Sequence, residues 1–412
     1  MPGMRTALAY CTPALPLALA LTTALAAPAP AHACGGMVFP DHGTRVGGMS
    51  EQELLVAFTP EATVLVASAG YKGATGSPAF ILPLPDEPTR VTQTDAGVLL
   101  ALDELTAPSI VITTPSEDSG GGGFCGAAGA LDGGGDLGGD RGNDVMVLQR
   151  GSTADYDYVV VGGDTGESIT EWLTMAGYVL PADYADALTP YIDGGNYIFA
   201  AKVKSTAADG ALAPIELHLP AGDPGAFSIP FGLAAHSLQP GETLSITTYL
   251  LATGSVVPGN YPVTTIDEAD LIATSATETN YQELYDAAIA GPDGAWVIDA
   301  SLEQFATNDL NSSLNTAVEN GRGEGTDAAA VAAFTERVAL TGARLTRVRT
   351  TLGAAQLRDM TLAKTDQNPV YPTMYVSYDA DAGGGGCKLG TGRGVPFGAL
   401  LVSLLLLLRR RR

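Results

Sequence analysis

Four aspartates, Asp132, Asp136, Asp140 and Asp144, recur at every fourth position inside a glycine tract. A hard divalent cation such as Ca²⁺ takes about six to eight oxygen ligands from a chain that bends freely, so this spacing could hold one. A polar spacer with no ligand accounts for the same residues and is the plainer reading. A second constellation is Ile215-Glu216-Leu217-His218-Leu219. Its alternation sets Glu216 beside His218 on the polar side of a strand, either as an acid/base couple or, more simply, as two solvated side chains. Arg344, Arg347 and Arg349 form a third group, able to hold a carboxylate of a partner or to pair with local Asp and Glu. In an acidic chain the second use is the simpler.

The search for enzyme signatures is otherwise negative. His32 falls in an amino-terminal export segment, which leaves His42, His218 and His236. There is no His-Glu-x-x-His, no Gly-x-Ser-x-Gly and no P-loop. Gly133 to Gly138 satisfies Gly-x-Gly-x-x-Gly only because it lies in a glycine tract, with no strand before it. The stretch Gly138 to Asp144 is one residue longer than the repeat of calcium-binding β-rolls and occurs once rather than as an array.

These residues sit in a chain of 412 residues with a net charge of −24. Seven of the 21 Lys and Arg lie in residues 1–33 and 387–412, which hold no Asp or Glu. Residues 34–386 therefore carry 14 basic against 45 acidic residues, a net of −31. Such a body repels phosphate backbones, which excludes nucleic acid as a partner of the folded part. Hydrophobic residues make up 46% and charged residues 16%, with 51 Gly and 26 Pro. That balance suits strands, turns and long loops better than long surface helices.

Both ends predict export. Met1 to Ala33 reads as a signal peptide for signal peptidase: Arg5, an apolar stretch from Ala7 to Ala27, and a small-x-small site at Ala31-His32-Ala33 just before Cys34. Ala24-Leu25-Ala26 is a second cleavage site, and an uncleaved membrane helix is the alternative. At the other end, Asp379 to Gly386 is a flexible spacer, Cys387 follows, and Val395 to Leu408 is an apolar run closed by Arg409 to Arg412. As a helix that run spans about 21 Å, short of a hydrocarbon core about 30 Å thick. The arginines hold the extreme terminus in the cytoplasm. An ordinary tail anchor is one reading. The order of spacer, cysteine, leucine run and arginine cluster resembles the MYXO-CTERM sorting tail of myxobacterial surface proteins. That resemblance implies a membrane sorting protease, cleavage near Cys387, and delivery to the cell surface.

Of four cysteines, Cys11 leaves with the signal and Cys387 belongs to the tail. Cys34 and Cys125 remain in an oxidising compartment, and a disulfide between them is the simplest assignment. Closing so long a loop stabilises by up to about 4–5 kcal/mol. A free Cys125 thiol is the alternative.

The body, 34–378, predicts an α+β fold, β-rich and mostly antiparallel, with several helices and a long Gly-rich loop at 115–144. Glu53 to Thr59 and Ala62 to Tyr71 form a hairpin at Pro60-Glu61. Ala79 to Leu84 is a strand that Pro83 and Pro85 place at a sheet edge. Val98 to Leu105 is a helix with Asp95 as its cap. Further strands are expected at Ser109 to Thr113, Val145 to Leu148, Tyr156 to Val161, Tyr197 to Lys204, Ile215 to Leu219, Leu244 to Ala252 and Leu345 to Thr351. Helices are expected at Glu167 to Gly177, Ala182 to Tyr191, Thr277 to Ala290, Leu302 to Asn320 and Asp327 to Leu340. A subdomain break falls near 195. A spacer at 379–394 and a hydrophobic helix with its arginines at 395–412 complete the chain.

Several phrases in order resemble a secreted bacterial family, domain of unknown function 2330. They are Ala33-Cys34-Gly35-Gly36, Pro78 to Pro85 (PAFILPLP), Leu102 to Pro108 (LDELTAP), Asn196 to Val203, Leu212 to Leu219, Leu345 to Thr350 (LTRVRT) and Leu357 to Met360. Phe80 and Ile81 stand where the family has an aromatic such as Trp, so no binding role carries over to that aromatic. The resemblance implies architecture and address rather than chemistry. The sequence thus predicts a membrane-sorted envelope or surface protein acting as a structural or binding component. A Ca²⁺-binding surface module and an envelope hydrolase with a carboxylate site are the alternatives.

Overall fold

A computed structural model of the chain describes residues 31–32, 35–38, 48–74, 76–113, 145–205, 209–303 and 307–378. Strands β1 (Ala31–His32), β2 (Gly36–Val38), β3 (Gly48–Phe58), β4 (Ala62–Lys72), β5 (Ala79–Leu84) and β6 (Arg90–Gln93) precede helix α1 (Gly97–Thr106). Then come β7 (Ser109–Thr113), β8 (Val145–Ser152), β9 (Tyr156–Gly163), α2 (Gly166–Met175) and α3 (Tyr184–Asp193). The middle of the chain supplies β10 (Tyr197–Val203), β11 (Gly210–Ala211), β12 (Ile215–Pro220), β13 (Phe227–Ile229), the short α4 (Phe231–Ala234), β14 (Thr243–Thr253), β15 (Ser255–Pro258) and β16 (Val263–Thr264). The rest is α5 (Tyr281–Ile289), β17 (Trp296–Glu303), α6 (Thr307–Glu319), α7 (Ala328–Arg337), β18 (Ala343–Gly353), β19 (Met360–Thr365) and β20 (Thr373–Ser377).

The main sheet runs β16-β17-β18-β14-β3-β4-β12-β6, with β11 added beside β4. Its centre is the hairpin of β3 and β4. Thr59 closes that turn, its hydroxyl donating to the Ala62 carbonyl at 2.8 Å and accepting from the Ala62 amide at 3.0 Å. A second sheet runs β2-β5-β10-β9-β8 and a third β1-β13-β19-β15, while β20 and β7 pair by themselves. Most pairings are antiparallel; β3 with β14 is a parallel exception at the heart of the main sheet.

Strand alternation distributes the apolar side chains into layers. Leu54, Val56, Leu65, Ile246, Leu250 and Val348 leave one face of the main sheet and meet Phe80, Leu82 and Phe199 of the second sheet. Leu55, Ala57, Val64, Val66, Leu251 and Leu345 leave the opposite face and meet Val98, Leu102, Leu310, Leu314, Val331 and Phe334 of α1, α6 and α7. The second sheet turns Ile81, Val161 and Ile198 outward onto Ile169, Leu173, Tyr184 and Leu188 of α2 and α3. The result is a helix–sheet–sheet–helix stack, a β-rich α+β fold. The largest apolar cluster draws on residues from both sides of position 195.

α2 shows how local chemistry fixes an element. The Thr165 hydroxyl accepts from the Ser168 amide at 3.0 Å, and the Ser168 hydroxyl accepts from the Thr165 amide at 3.3 Å, a reciprocal cap. Thr165→Ala is expected to lower stability by about 1 kcal/mol, read as a shift of the urea midpoint, because it leaves a first-turn amide without its partner.

Three local expectations are corrected. β5 is internal rather than an edge strand. It pairs with β10 along its whole length and with β2 over Ala79 to Ile81, and Pro83 is tolerated because it lies past the end of β2. The segment from Leu302 is not one helix: Leu302 ends β17, and α6 begins at Thr307. Trp296 to Ser301 of that strand are all buried, so burial does not alternate along them. The cap position of α1 is Ala96, which makes no side-chain cap bond, and Asp95, one residue earlier, accepts from the Gly97 amide through Oδ1 at 2.7 Å. Among the described residues no helix is long and apolar enough to cross a membrane.

Candidate functional site

The helix-covered face of the main sheet turns from apolar to charged along β18. Leu345 packs under the helices; two and four residues on, Arg347 and Arg349 leave the same face. Register carries the strip sideways: Arg347 lies opposite Tyr249 on β14, which lies opposite Leu55 on β3, while Thr247 lies opposite Glu53. On the other flank, the ladder between β17 and β18 slips between Ile298 and Ala300, and Asp299 is the extra residue. That bulge re-aims its carboxylate toward the arginines.

Asp299 has a side chain 0% exposed and depends on them. Arg349 Nε donates to its Oδ2 at 2.9 Å, and Arg349 Nη2 donates to its Oδ1 at 3.3 Å and to the Tyr281 hydroxyl at 3.1 Å. Arg347 Nε approaches Oδ2 at 3.2 Å without the alignment of a hydrogen bond. Arg347 Nη1 donates to Asp103 Oδ1 of α1 at 2.7 Å. Asp103 also receives Arg322 Nη1 at 3.0 Å, and Arg322 reaches Glu104 as well. Arg349 stacks on Tyr285 at 4.0 Å from the ring centre. One guanidinium thus ties the bulge of β17 to the last turn of α1.

Two groups in the cluster stand apart. Glu53 has no hydrogen-bond donor paired with it among the described residues. Burial, then Asp103 and Glu51, push its carboxyl up to about 7, against the opposing pull of Arg347. The Tyr249 hydroxyl is fully buried and also lacks a hydrogen-bond partner among the described residues. Burial raises it well above the ordinary tyrosine range, although Arg347 beside it works the other way. Burial opposes the charge on Arg349, but Asp299 more than offsets it and the net shift is upward. A carboxyl poised near neutrality beside an arginine and a phenol can exchange protons around pH 7.

The arginine triplet thus pairs with carboxylates of this chain. Arg344 points to the opposite face, where Nη2 donates to Glu303 Oε1 at 2.8 Å and Nη1 to the Gln367 carbonyl at 2.7 Å. Glu216 and His218 are brought together, with 2.7 Å between Oε1 and Nε2, but the solvated face expected for them is wrong. The end of α7 covers it: Glu216 is 0% exposed and accepts from Arg337 Nη2 at 2.9 and 3.2 Å. His218→Ala is expected to cost about 1.5 kcal/mol in thermal or urea unfolding, since it removes a hydrogen bond to a buried carboxylate. His236 lies near the surface, 3.4 Å from Asp183.

Asp132, Asp136, Asp140, Asp144, Cys34, Cys125, Ala33, Cys387 and His42 all lie outside the described residues. Among the described residues no group of three or more His, Cys, Asp or Glu is placed to hold a metal ion. Sequence reasoning missed Asp299, Asp103, Glu53, Tyr249 and Tyr281. The usable signal was the alternation that puts Arg347 and Arg349 on one face; their partners come from strands and a helix far away in sequence.

Residues 28–274 match the model of the family described as an uncharacterized protein conserved in bacteria, DUF2330. The chain belongs to the DUF2330 family. The match covers Glu53, Asp103 and Tyr249, whereas Asp299, Arg347 and the LTRVRT phrase lie beyond it. No curated protein matches the chain. A solved structure titled as a caspase-8/P35 complex is similar at 11% identity over 51% of this chain and 70% of that one, with a TM-score of 0.25. A likeness that slight carries nothing about fold or function. In this DUF2330 protein the family-matched carboxylates Glu53 and Asp103 meet an arginine contributed by the later part of the chain.

Proposed function

We propose that this DUF2330 protein is exported and held at the cell envelope or surface, where it works as a structural or binding component. The observation that carries the reading is the tail: a glycine spacer, Cys387, a leucine-rich run and four closing arginines. The amino-terminal apolar stretch supports it, with signal peptidase and a membrane sorting protease as processing partners. The acidic body fits a soluble layer held above a membrane of like charge. The arginine cluster supports a scaffold role, because Asp299, Asp103 and both arginines are engaged with one another.

Deleting Val395 to Arg412 tests this. The truncated chain, which lacks the sorting segment, is expected in the periplasm or medium, and the protein expressed with that segment in the envelope fraction. Recovery of both from the cytosol with intact amino termini would overturn the reading.

Glu53 favours a second reading, an envelope hydrolase. Its carboxyl is pushed up to about 7 and, among the described residues, has no hydrogen-bond donor and lies beside a phenol that also lacks a partner. Under this reading a Glu53→Gln variant loses a hydrolytic activity that the wild-type chain shows on envelope-derived esters, peptides or glycans. Equal profiles for the two proteins would end it.

A further inference from the structure

β7 and β20 form a parallel ribbon of two strands, apart from the other sheets. Parallel strands are normally covered on both faces, and a two-stranded sheet is marginal by itself. This ribbon shows its outer face: Tyr375 lies opposite Val111, and the two are 59% and 39% exposed. Burial alternates along β7, with Ser109, Val111 and Thr113 exposed and Ile110 and Ile112 half-buried on the inner side.

The two edges of the ribbon differ. The Ser109 amide donates to the Pro372 carbonyl at 2.9 Å, and the Tyr378 amide donates to the Thr113 carbonyl at 3.0 Å. In a parallel ladder this register aims the backbone of Ser109, Val111 and Thr113 at β20. The amides and carbonyls of Ile110 and Ile112 point away from it. Among the described residues none of these four groups has a hydrogen-bond partner, and no other strand pairs with β7. The far edge of β20 is closed by a side chain instead, since the Tyr375 amide donates to Glu268 Oε2 at 3.0 Å. β7 also lacks the devices that keep an edge strand from pairing: Ser-Ile-Val-Ile-Thr has no charge, no proline and no bulge. An edge of this kind accepts an extended segment as its next strand.

Charge selects the segment. The turn that holds β20 carries Asp267, Glu268 and Asp270, all exposed. Residues 205–321 contain no Lys or Arg to offset them. β7 lies one strand spacing, about 4.8 Å, from β20, so these carboxylates act on its edge within about a Debye length, roughly 10 Å. Two copies of this acidic body repel one another.

We propose that β7 is a docking edge for an extended cationic peptide segment in which β-branched residues alternate with Lys or Arg. Its main chain exchanges hydrogen bonds with Ile110 and Ile112, and one alternate row of its side chains extends the outer face of Val111 and Tyr375. This gives the binding reading a partner and rests on that part of it alone. Failed export leaves peptide binding intact, and failed binding leaves the address intact.

Fluorescence polarisation of a labelled Lys-Val-Lys-Val-Lys-Val-Lys peptide with the purified chain tests it. Saturable binding is expected, at least tenfold tighter than for the twin with Glu in place of Lys. Methylating alternate peptide amides separates strand pairing from bare charge attraction, since one set faces β7 and the other faces solvent. One methylated set is expected to weaken binding at least tenfold and the other to keep it within threefold. Ile112→Pro removes an amide that β20 does not use, so the ribbon stays paired while peptide binding falls at least fivefold. No saturable binding, equal behaviour of the two methylated sets, or an unchanged affinity in Ile112→Pro would overturn the proposal. So would self-association of the chain that Ile112→Pro abolishes, which gives the edge to a second copy.

Discussion

Arg347→Ala is expected to destabilise the folded chain by about 3–5 kcal/mol, the cost typical of stripping one partner from a buried ion pair. The size follows from what stays behind. Asp299 remains fully buried with Arg349 as its only guanidinium among the described residues, and the Asp103 carboxylate loses a donor at 2.7 Å. α1 also loses its polar tie to the centre of the sheet. Arg347→Lys keeps the charge but gives up the planar fork that reaches toward both carboxylates, so it should recover less than half of the loss. Urea unfolding of the wild type and the two variants measures this. A loss under about 1 kcal/mol for alanine, within the range of exposed pairs, would show that the cluster does not hold the helix to the sheet.

The second large effect is a pH dependence centred on Glu53. Its carboxyl rises from an ordinary 4.5 to about 7 on folding, through burial first and then Asp103 and Glu51. Between those values the folded chain holds a proton that the unfolded chain has released. Stability from this group is therefore complete below pH 4.5 and declines as pH climbs to about 7. The full shift would be worth about 3 kcal/mol; partial solvent access reduces the expectation to about 2 kcal/mol. Glu53→Gln removes the titration. The variant should match the wild type near pH 4 and exceed it by about 2 kcal/mol at pH 8. Comparing the two proteins cancels the other carboxylates, such as Asp223, which its bond to Lys364 shifts the opposite way. Parallel stability curves for the two proteins would show that Glu53 titrates as an ordinary surface acid.

How much of this was legible in the sequence depends on the range of the interaction. The hairpin of β3 and β4 and the helix at Gly97 were readable because a hydrogen-bonded side chain within a few residues, Thr59 or Asp95, marks the start of each turn. The helix expected from Leu302 begins only at Thr307, because Leu302 and Glu303 close a strand whose first six residues are all buried and show no alternation of burial. The solvated reading of Glu216 failed for a related cause. Polar alternation shows that two side chains share a face, but not that a later helix will cover that face and supply Arg337, 121 residues on from Glu216. The arginine cluster combines both cases. The triplet of arginines is local and visible; Asp299 is delivered by a bulge, and Glu53 arrives through a parallel pairing of β3 with β14 that no local signal announces.

The proposed envelope address rests on the two terminal segments, and mapping the termini of the protein recovered from the envelope by mass spectrometry tests it most directly. The amino terminus is expected at Ala27 or Cys34. The pairing of Ala31–His32 with Phe227–Ser228 survives only the earlier cut. At the other end, the peptide containing Val395 to Arg412 should be absent, with the last residue at or near Cys387. A surface-exposed chain that still begins at Met1 and still ends at Arg412 would contradict processing at both ends, and with it the sorted-envelope account.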